Sequence, residues 1–192
     1  SLAVGCSVII KPAELTPLTT LRLGELMIEA GIPAGAVNIL TGDAAVGAAL
    51  ASHPNVDKVS FTGSIATGRK VIEAAAGNLK KVTLELGGKS PLIILPDADL
   101  DQAIPGAAAA IFSNAGQVCV AGSRLYAHAS VHDEVVAGVA ELARKLKVLP
   151  GMDPQAEMGP LISEAHLQRV NAMVESGRSQ GARVVAGGKR LV

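Results

Sequence analysis

Short runs of β-branched and aliphatic residues alternate with helical patterns along the first half of the chain. The runs predict strands, and the segments between them have the apolar spacing of amphipathic helices. The predicted strands are Ser7–Lys11, Val37–Leu40, Val56–Phe61 and Lys81–Leu84, and the predicted helices are Pro17–Ala30, Ala44–Ser52 and Ser64–Ala76. Strands that are apolar throughout and joined by helices indicate a parallel sheet covered on both faces. We therefore predict an α/β fold of the Rossmann-like, doubly wound kind.

This alternation is interrupted at residues 86–91, where the sequence reads Leu-Gly-Gly-Lys-Ser-Pro. Two glycines followed by a proline are typical of a boundary, so we predict one domain over residues 1–87 and another over residues 88–192. The second domain is predicted to contain the strands Leu92–Leu95, Arg124–Ala127 and Arg183–Val185 and the helices Asp99–Ser113, Val131–Leu146 and Ser163–Gln180. Ser130, with Asp133 three residues later, is expected to cap the helix at residues 131–146.

Composition and charge narrow the range of functions. Of the 192 residues, 49% are hydrophobic and 18% are charged, and 17 Lys and Arg balance 17 Asp and Glu. A chain this apolar can bury enough surface to fold, and it lacks the basic surplus and aromatic platforms of a nucleic-acid binder. The longest apolar run, residues 103–112, is too short to span a membrane. With two cysteines and no secretory pattern, we expect a cytoplasmic protein with neither membrane nor nucleic-acid partners.

A turn at residues 61–70 follows the third predicted strand and opens the third helix. Backbone N–H groups and the helix dipole at such a position favour phosphate. The segment Phe-Thr-Gly-Ser-Ile-Ala-Thr-Gly-Arg-Lys has neither the Lys-Ser/Thr pair of a Walker A loop nor a G-x-G-x-x-G pattern. The alternative to a phosphate site is an ordinary βα turn.

The segment Lys-Pro-Ala-Glu at residues 11–14 leaves the first strand at the edge where open parallel sheets bind ligands. The Glu14 carboxylate can accept hydrogen bonds from two ribose hydroxyls, and Lys11 can donate another. The alternative is a solvated strand exit.

Two residues are candidates for catalysis. Cys119 follows an Ala-rich helix among small residues, which leave room beside its sulfur for a substrate, and a thiolate is an effective nucleophile. Glu85 ends an apolar strand, so we expect it to be partly buried with a raised pKa, as suits a general base, or paired with a cation. Most lone cysteines are packing residues, and this is our interpretation of Cys6. We predict no metal site.

Four motifs occur in the order that aldehyde dehydrogenases have them. They are the segments at residues 11–14, 61–68, 82–91 (Val-Thr-Leu-Glu-Leu-Gly-Gly-Lys-Ser-Pro) and 114–124 (Asn-Ala-Gly-Gln-Val-Cys-Val-Ala-Gly-Ser-Arg). Together with residues 157–161 and 181–188, they make essentially the whole chain resemble the aldehyde dehydrogenase superfamily. The pattern at residues 116–126 is most similar to branches that handle aromatic or medium-sized aldehydes, such as phenylacetaldehyde dehydrogenases. The fold that the resemblance implies is this family's Rossmann-like parallel sheet plus part of an α/β catalytic domain.

The resemblance implies a role for each motif. Cys119 matches the nucleophile that adds to the aldehyde carbonyl, and Glu85 matches the base that activates water to hydrolyse the resulting thioester. Lys11 and Glu14 match residues that hold the adenosine ribose of the cofactor. Gly63, Ser64 and Gly68 match the turn beside its pyrophosphate. The expected cofactor is NAD, because the Glu14 carboxylate would repel a 2′-phosphate, although Lys11 beside it leaves NADP open.

Members of this family are much longer, so the resemblance implies that the chain is an internal portion of a homo-oligomeric enzyme that oxidises a small-molecule aldehyde. The upstream Asn of the oxyanion hole and the downstream Glu of the nicotinamide site lie outside it. We expect exposed apolar surface at both ends. We also expect weak activity of the chain alone, because one oxyanion donor is worth about 3 kcal/mol. The alternatives are a CoA-acylating enzyme, which does not need Glu85, and an inactive nucleotide-binding fragment.

Overall fold

A computed structural model describes residues 1–191 of the chain. Residues 1–86 and 87–192 form two compact units, which we call the first and the second unit. The first unit contains the strands β1 (Val8–Ile10), β2 (Val37–Ile39), β3 (Lys58–Gly63) and β4 (Lys81–Leu86) and the helices α1 (Leu18–Glu29), α2 (Ala44–Ser52) and α3 (Ile65–Ala75). Every element predicted for this half of the chain is present, because its apolar periodicity is strong.

The strands of the first unit pair in parallel, as the strand–helix–strand pattern predicts. β1 pairs with β2, with Val8 opposite Val37, and β3 pairs with β4, with Lys58 opposite Lys81. Parallel pairing needs a crossover, which α1 and α3 supply. Both members of a pair therefore end at the same edge.

The end of α1 shows how the sequence directs the chain into β2. Gly31 has a φ of +84°, and its N–H donates to the carbonyl of Ile28 at 3.0 Å. The N–H of Ile32 donates to the carbonyl of Met27 at 3.0 Å, which completes a Schellman motif. Glycine suits this position because a side chain at positive φ would be strained.

The second unit is built around a small helix–strand core. It contains the strands β5 (Pro91–Ile94) and β6 (Arg124–Ala127), paired in parallel, and the helices α4 (Leu100–Phe112), α5 (His132–Lys145) and α6 (Glu164–Ser179). Ile94, Ala107 and the fully buried Val135 form the centre of this core. Gly138 lets α5 approach α4 closely, since a Cβ at this position would lie 2.8 Å from Cγ2 of Ile104.

Two local predictions in the second unit are wrong. Residues 183–185 form no strand, and the carbonyl of Val185 instead accepts a hydrogen bond from the Arg144 guanidinium at 3.2 Å. Ser130 does not cap α5, because the helix begins one residue too late for it, with Val131 as the N-cap. The Ser130 hydroxyl lies 2.8 Å from Nδ1 of His128.

Only one face of each strand pair is covered within the described residues, so the expectation of cover on both faces is wrong for this chain. Ile9 is 47% exposed and Ile93 is 67% exposed, whereas their strand neighbours point toward helices. Exposed apolar side chains occur near both ends, as at Val4 and Leu191, and also along α1, as at Leu18. No helix within residues 1–191 has the length and apolar character needed to cross a lipid bilayer.

Candidate active site

A pocket of about 180 Å³ lies where β1 and β2 end. Its lining residues are Pro12, Ala13, Glu14, Pro17, Thr41 and Gly42. This is the carboxyl edge of a parallel strand pair, where open α/β sheets bind their ligands. Thr41 and Gly42 were not among the predicted site residues, although their position directly after β2 could have indicated them.

Lys11 and Glu14 form an ion pair at this pocket. The Lys11 Nζ lies 3.1 Å from Oε1 of Glu14 and donates to the carbonyl of Pro12 at 3.0 Å. The Lys11 side chain is 15% exposed, and that of Glu14 is 54% exposed. The backbone N–H of Glu14 lowers the pKa of its carboxyl below the usual range, and Lys11 lowers it further. The pocket therefore presents an ionised carboxylate with free surface.

The turn between β3 and α3 ends in a capped helix. Ser64 is the N-cap of α3, and its Oγ accepts a hydrogen bond from the N–H of Thr67 at 3.1 Å. The N–H groups of Ile65 and Ala66 make no hydrogen bond within residues 1–191. Free N–H groups at the positive end of a helix dipole suit a phosphate.

The two glycines of this turn have steric roles. Gly68 is buried, and a Cβ there would lie 3.0 Å from Cδ2 of Leu86, so its absence lets α3 pack on β4. A Cβ on Gly63 would overlap the ring of Phe61. Both roles shape the turn without touching a ligand, and direct cofactor contact by Gly63, Ser64 or Gly68 stays a prediction.

Glu85 lies in β4 opposite Thr62 of β3, one residue before the end of that strand pair. This register brings Glu85 to the same edge as Gly63 and Ser64. The expectation of partial burial or a cationic partner is wrong, since Glu85 is exposed and makes no ion pair with any described residue. The reason is the strand alternation, in which Leu84 and Leu86 turn toward the helix side and Glu85 to the uncovered face.

Cys119 lies in the loop between α4 and β6, residues 113–123, which we call the Cys119 loop. Its side chain is exposed, and its N–H makes no hydrogen bond within residues 1–191. The N–H of Gly88 donates to the carbonyl of Cys119 at 3.5 Å. Arg124 joins the same two segments, because its Nε donates to the carbonyl of Lys89 at 2.7 Å. The thiol of Cys119 is thus accessible, while its backbone carbonyl is hydrogen-bonded to Gly88.

The Cys119 loop begins with an unusual backbone. Asn114 and Ala115 have φ values of 51° and 56°, followed by Gly116 at 72°. Left-handed backbone costs a non-glycine residue about 1–3 kcal/mol, and asparagine tolerates it better than alanine. Gln117 supports this run, since its N–H and its Nε2 both donate to the carbonyl of Asn114 at 3.1 Å. Its Oε1 accepts from the N–H of Ile162 at 3.0 Å.

The predicted site residues fall into three groups. Glu14 lines the pocket at the end of β1 and β2 and pairs with Lys11, while Glu85 lies at the same edge as the turn at residues 63–68. Cys119 belongs to the second unit. No sequence signal pointed to Gln117, because its partner Ile162 is 45 residues away.

Two further features lie apart from these groups. Cys6 is exposed, so its interpretation as a packing residue is wrong; it follows the left-handed Gly5 that ends a short 3₁₀ turn.

A larger cavity of about 350 Å³ lies between α4 and α5, where Phe112 and Leu142 line it, and it contains none of the predicted site residues.

The whole chain is similar to known proteins. The sequence model of the aldehyde dehydrogenase family matches residues 1–192. A protein from Burkholderia cenocepacia described as an aldehyde dehydrogenase is 52% identical, with a TM-score of 0.98 over 100% of this chain. PnpE from Pseudomonas sp. WBC-3, also solved with nicotinamide adenine dinucleotide, is 48% identical, with a TM-score of 0.96 over 98% of this chain.

A third similar structure is betaine aldehyde dehydrogenase from Staphylococcus aureus in complex with NAD⁺. It is 42% identical, with a TM-score of 0.96 over 100% of this chain. The chain covers only 39% of the first two proteins and 38% of the third. It therefore spans about two fifths of the length of the solved structures that it matches.

Proposed function

Because the chain belongs to the aldehyde dehydrogenase family, we propose that it oxidises aldehydes to carboxylic acids with NAD⁺ through a thioester on Cys119. The observation that carries this proposal is the exposed Cys119 thiol on a loop whose backbone is held on both sides. A nucleophile needs access for its substrate and a fixed direction of attack, and this loop provides both.

Cys119 performs the covalent step. Its thiolate adds to the aldehyde carbon, so a C–S bond forms and the carbonyl oxygen becomes an oxyanion. The free N–H of Cys119 is available as one donor to that oxygen. NAD⁺, when bound, supplies the hydride acceptor. Loss of hydride from the carbon restores the carbonyl and leaves a thioester on Cys119.

Glu85 is assigned the hydrolytic step. Its exposed carboxylate, without a partner in the described chain, is able to take a proton from water as that water attacks the thioester carbon. The C–S bond then breaks, the thiolate of Cys119 returns and the carboxylic acid leaves. A CoA-acylating enzyme would not need this base, so Glu85 supports hydrolysis over acyl transfer.

Cofactor binding is assigned to the first unit, and the second unit is assigned to the nucleophile-bearing domain. Glu14 would accept hydrogen bonds from the adenosine ribose in the pocket at the end of β1, and the free N–H groups at the start of α3 would face the pyrophosphate. Lys11 already pairs with Glu14, so the Lys11 ammonium is less available for a 2′-phosphate. This pairing supports NAD over NADP.

We place the protein in the cytoplasm as a homo-oligomer. Two exposed free thiols, Cys6 and Cys119, suit a reducing compartment. Exposed apolar residues such as Leu18, Ile28 and Ile93 support burial against further protein. Size-exclusion chromatography with light scattering tests the assembly.

The deciding experiment compares Cys119→Ala with Cys6→Ala in the full-length gene product. NADH formation is followed with aldehydes that include phenylacetaldehyde and betaine aldehyde, and the product is identified without CoA. We expect Cys119→Ala to abolish NADH formation, Cys6→Ala to retain it and the product to be the free acid. Oxidation by Cys119→Ala, or an absolute requirement for CoA, would refute the proposal.

A further inference from the structure

We propose that Gln117 is a positioning residue for Cys119, acting as a bridge between the Cys119 loop and the segment of residues 157–162. The inference rests on the proposed function in one respect only, that Cys119 is the nucleophile. Its structural part, the control of this thiol by the bridge, can be tested without any aldehyde.

The bridge depends on both ends of one amide group. The Nε2 of Gln117 donates to the carbonyl of Asn114 at 3.1 Å, and its Oε1 accepts from the N–H of Ile162 at 3.0 Å. An amide has a donor and an acceptor at fixed separation, whereas an ionised carboxylate has acceptors only. Glutamine therefore connects a carbonyl on one segment to an N–H on another, and glutamate at neutral pH can satisfy only the second.

The Asn114 end of the bridge lies in the run of left-handed residues 114–116. The N–H of Gln117 also donates to the carbonyl of Asn114, and the Asn114 side chain donates back to the carbonyl of Gln117 at 3.3 Å. Conformations of this kind persist only where several contacts specify them together. Cys119 follows Gln117 by two residues, so the direction in which the loop presents its thiol is set by this bonded run.

The Ile162 end of the bridge is also fixed. The N–H of Lys147, just after α5, donates to Oε2 of Glu157 at 2.8 Å, and the N–H of Met158 donates to the carbonyl of Lys147 at 3.2 Å. The N–H of Leu149 donates to the carbonyl of Met158 at 3.1 Å. Glu157 and Met158, in a segment to which no role had been assigned, thus anchor the chain four residues before Ile162.

The test uses the full-length gene product with Gln117→Ala, Gln117→Glu and the matched control Gln168→Ala. Gln168 is exposed on α6, a few residues beyond Ile162, and makes no side-chain hydrogen bond within residues 1–191. Two quantities are measured by mass spectrometry: hydrogen exchange in residues 114–124 and 159–163, and the iodoacetamide alkylation rate of Cys119 across pH. The exposed Cys6 thiol of the same molecule is the internal reference.

For Gln117→Ala we expect exchange at Ile162 to accelerate about tenfold or more as the local structure opens more often. The Cys119 alkylation rate should change about threefold or more relative to Cys6 at every pH tested, because the loop no longer fixes the direction of the thiol. Gln168→Ala should change neither quantity.

Gln117→Glu keeps the test decisive if the alanine variant does not fold. Its carboxylate should still accept the N–H of Ile162 and keep it protected from exchange. Because the carboxylate has no donor for the Asn114 carbonyl, residues 114–117 should exchange faster than in the wild type at neutral pH. Protonation near the ordinary carboxyl pKa of about 4.3 should restore a donor to Asn114 and return the exchange of residues 114–117 toward the wild-type rate measured at the same pH.

Three results would overturn the proposal: unchanged Ile162 exchange in Gln117→Ala, faster exchange with an unchanged Cys119 alkylation rate relative to Cys6, or unprotected Ile162 in a folded Gln117→Glu. None of them depends on aldehyde oxidation. Failure of the bridge and failure of the proposed function are therefore distinguishable.

Discussion

The pocket at the end of β1 and the Cys119 loop differ in the sequence distance that their supporting contacts span. Lys11 and Glu14, three residues apart, form their own ion pair at 3.1 Å. In the Cys119 loop, Gln117 accepts a hydrogen bond from the N–H of Ile162, 45 residues further along. The carbonyl of Cys119 accepts a hydrogen bond from the N–H of Gly88.

The chemistry proposed for each region accounts for this difference. Ribose and phosphate can be bound by groups at the end of a strand and the start of a helix, and the β1 and α3 termini supply these locally. A nucleophile on a loop with left-handed residues must be held from several directions, because no local contact specifies that backbone alone. Changes in the first region should therefore leave the Cys119 thiol unaltered.

Replacing Glu85, at the edge that it shares with the turn at residues 63–68, with Gln should have the largest effect and tests whether the first unit contributes to the reaction proposed for Cys119. We expect steady-state turnover of the full-length gene product to fall about 10²–10⁴-fold, since the amide cannot take a proton from water. The first turnover should survive as a burst of NADH, measured by stopped flow. Glu73→Gln, at an exposed position on α3, is the control. Near-normal turnover by Glu85→Gln would remove Glu85 as the base for thioester hydrolysis.

Glu14→Gln should change only cofactor preference. Removing one negative charge near a 2′-phosphate is worth about 1 kcal/mol, so kcat/KM for NADP⁺ relative to NAD⁺ should rise about five- to tenfold. Steady-state kinetics with both cofactors measure the ratio, and Cys119 alkylation should stay as in the wild type. An unaltered ratio of kcat/KM for NADP⁺ to that for NAD⁺ would mean that the adenosine ribose does not bind beside Glu14.

Ser64→Ala should have a smaller effect, confined to the first unit. Loss of the Oγ that accepts the N–H of Thr67 removes an N-cap, which typically costs about 1 kcal/mol. Hydrogen exchange of α3 amides measures this loss. Ser52→Ala is the control, because the Ser52 hydroxyl bonds within its own helix, to the carbonyl of Ala48. Equal destabilisation by both variants would argue against a capping role.

Lys11→Met should give the smallest effect, an upward movement of the Glu14 pKa. Because the backbone N–H of Glu14 also lowers this pKa, and by more than either single contribution of Lys11, the pKa in Lys11→Met should rise but stay below the ordinary range. The interaction is fully present above the usual Glu pKa and is lost as pH falls through the lowered value. Carboxyl NMR titration measures it, and a return to the ordinary pKa would make Lys11 the dominant cause.

The sequence predicted the elements of the first unit well because their determinants are local. The apolar runs located all four strands, and the predicted helix at residues 17–30 ended within one residue of the observed α1. Glu85 was misjudged because a run of apolar neighbours does not tell which strand face a helix covers. The alternation of β4 against α3 decides that, and it leaves Glu85 exposed.

The second region was predictable only in part. The motif around Cys119 identified the candidate nucleophile, but no periodic pattern revealed the left-handed backbone of Asn114 and Ala115 or the bond from Gln117 to Ile162. Residues 183–185 have the apolar character of a strand, yet pairing is non-local, and Arg144 satisfies the Val185 carbonyl instead.

The central claim, aldehyde oxidation through a thioester on Cys119, is tested most directly by mass spectrometry of the full-length Glu85→Gln variant. After mixing with aldehyde and NAD⁺, the peptide that contains Cys119 should gain the mass of the aldehyde less one hydride and one proton, and the peptide that contains Cys6 should gain nothing. Without NAD⁺ this acyl adduct should not form. Oxidation of the aldehyde with no acyl adduct on Cys119, or with the adduct on another residue, would contradict the account.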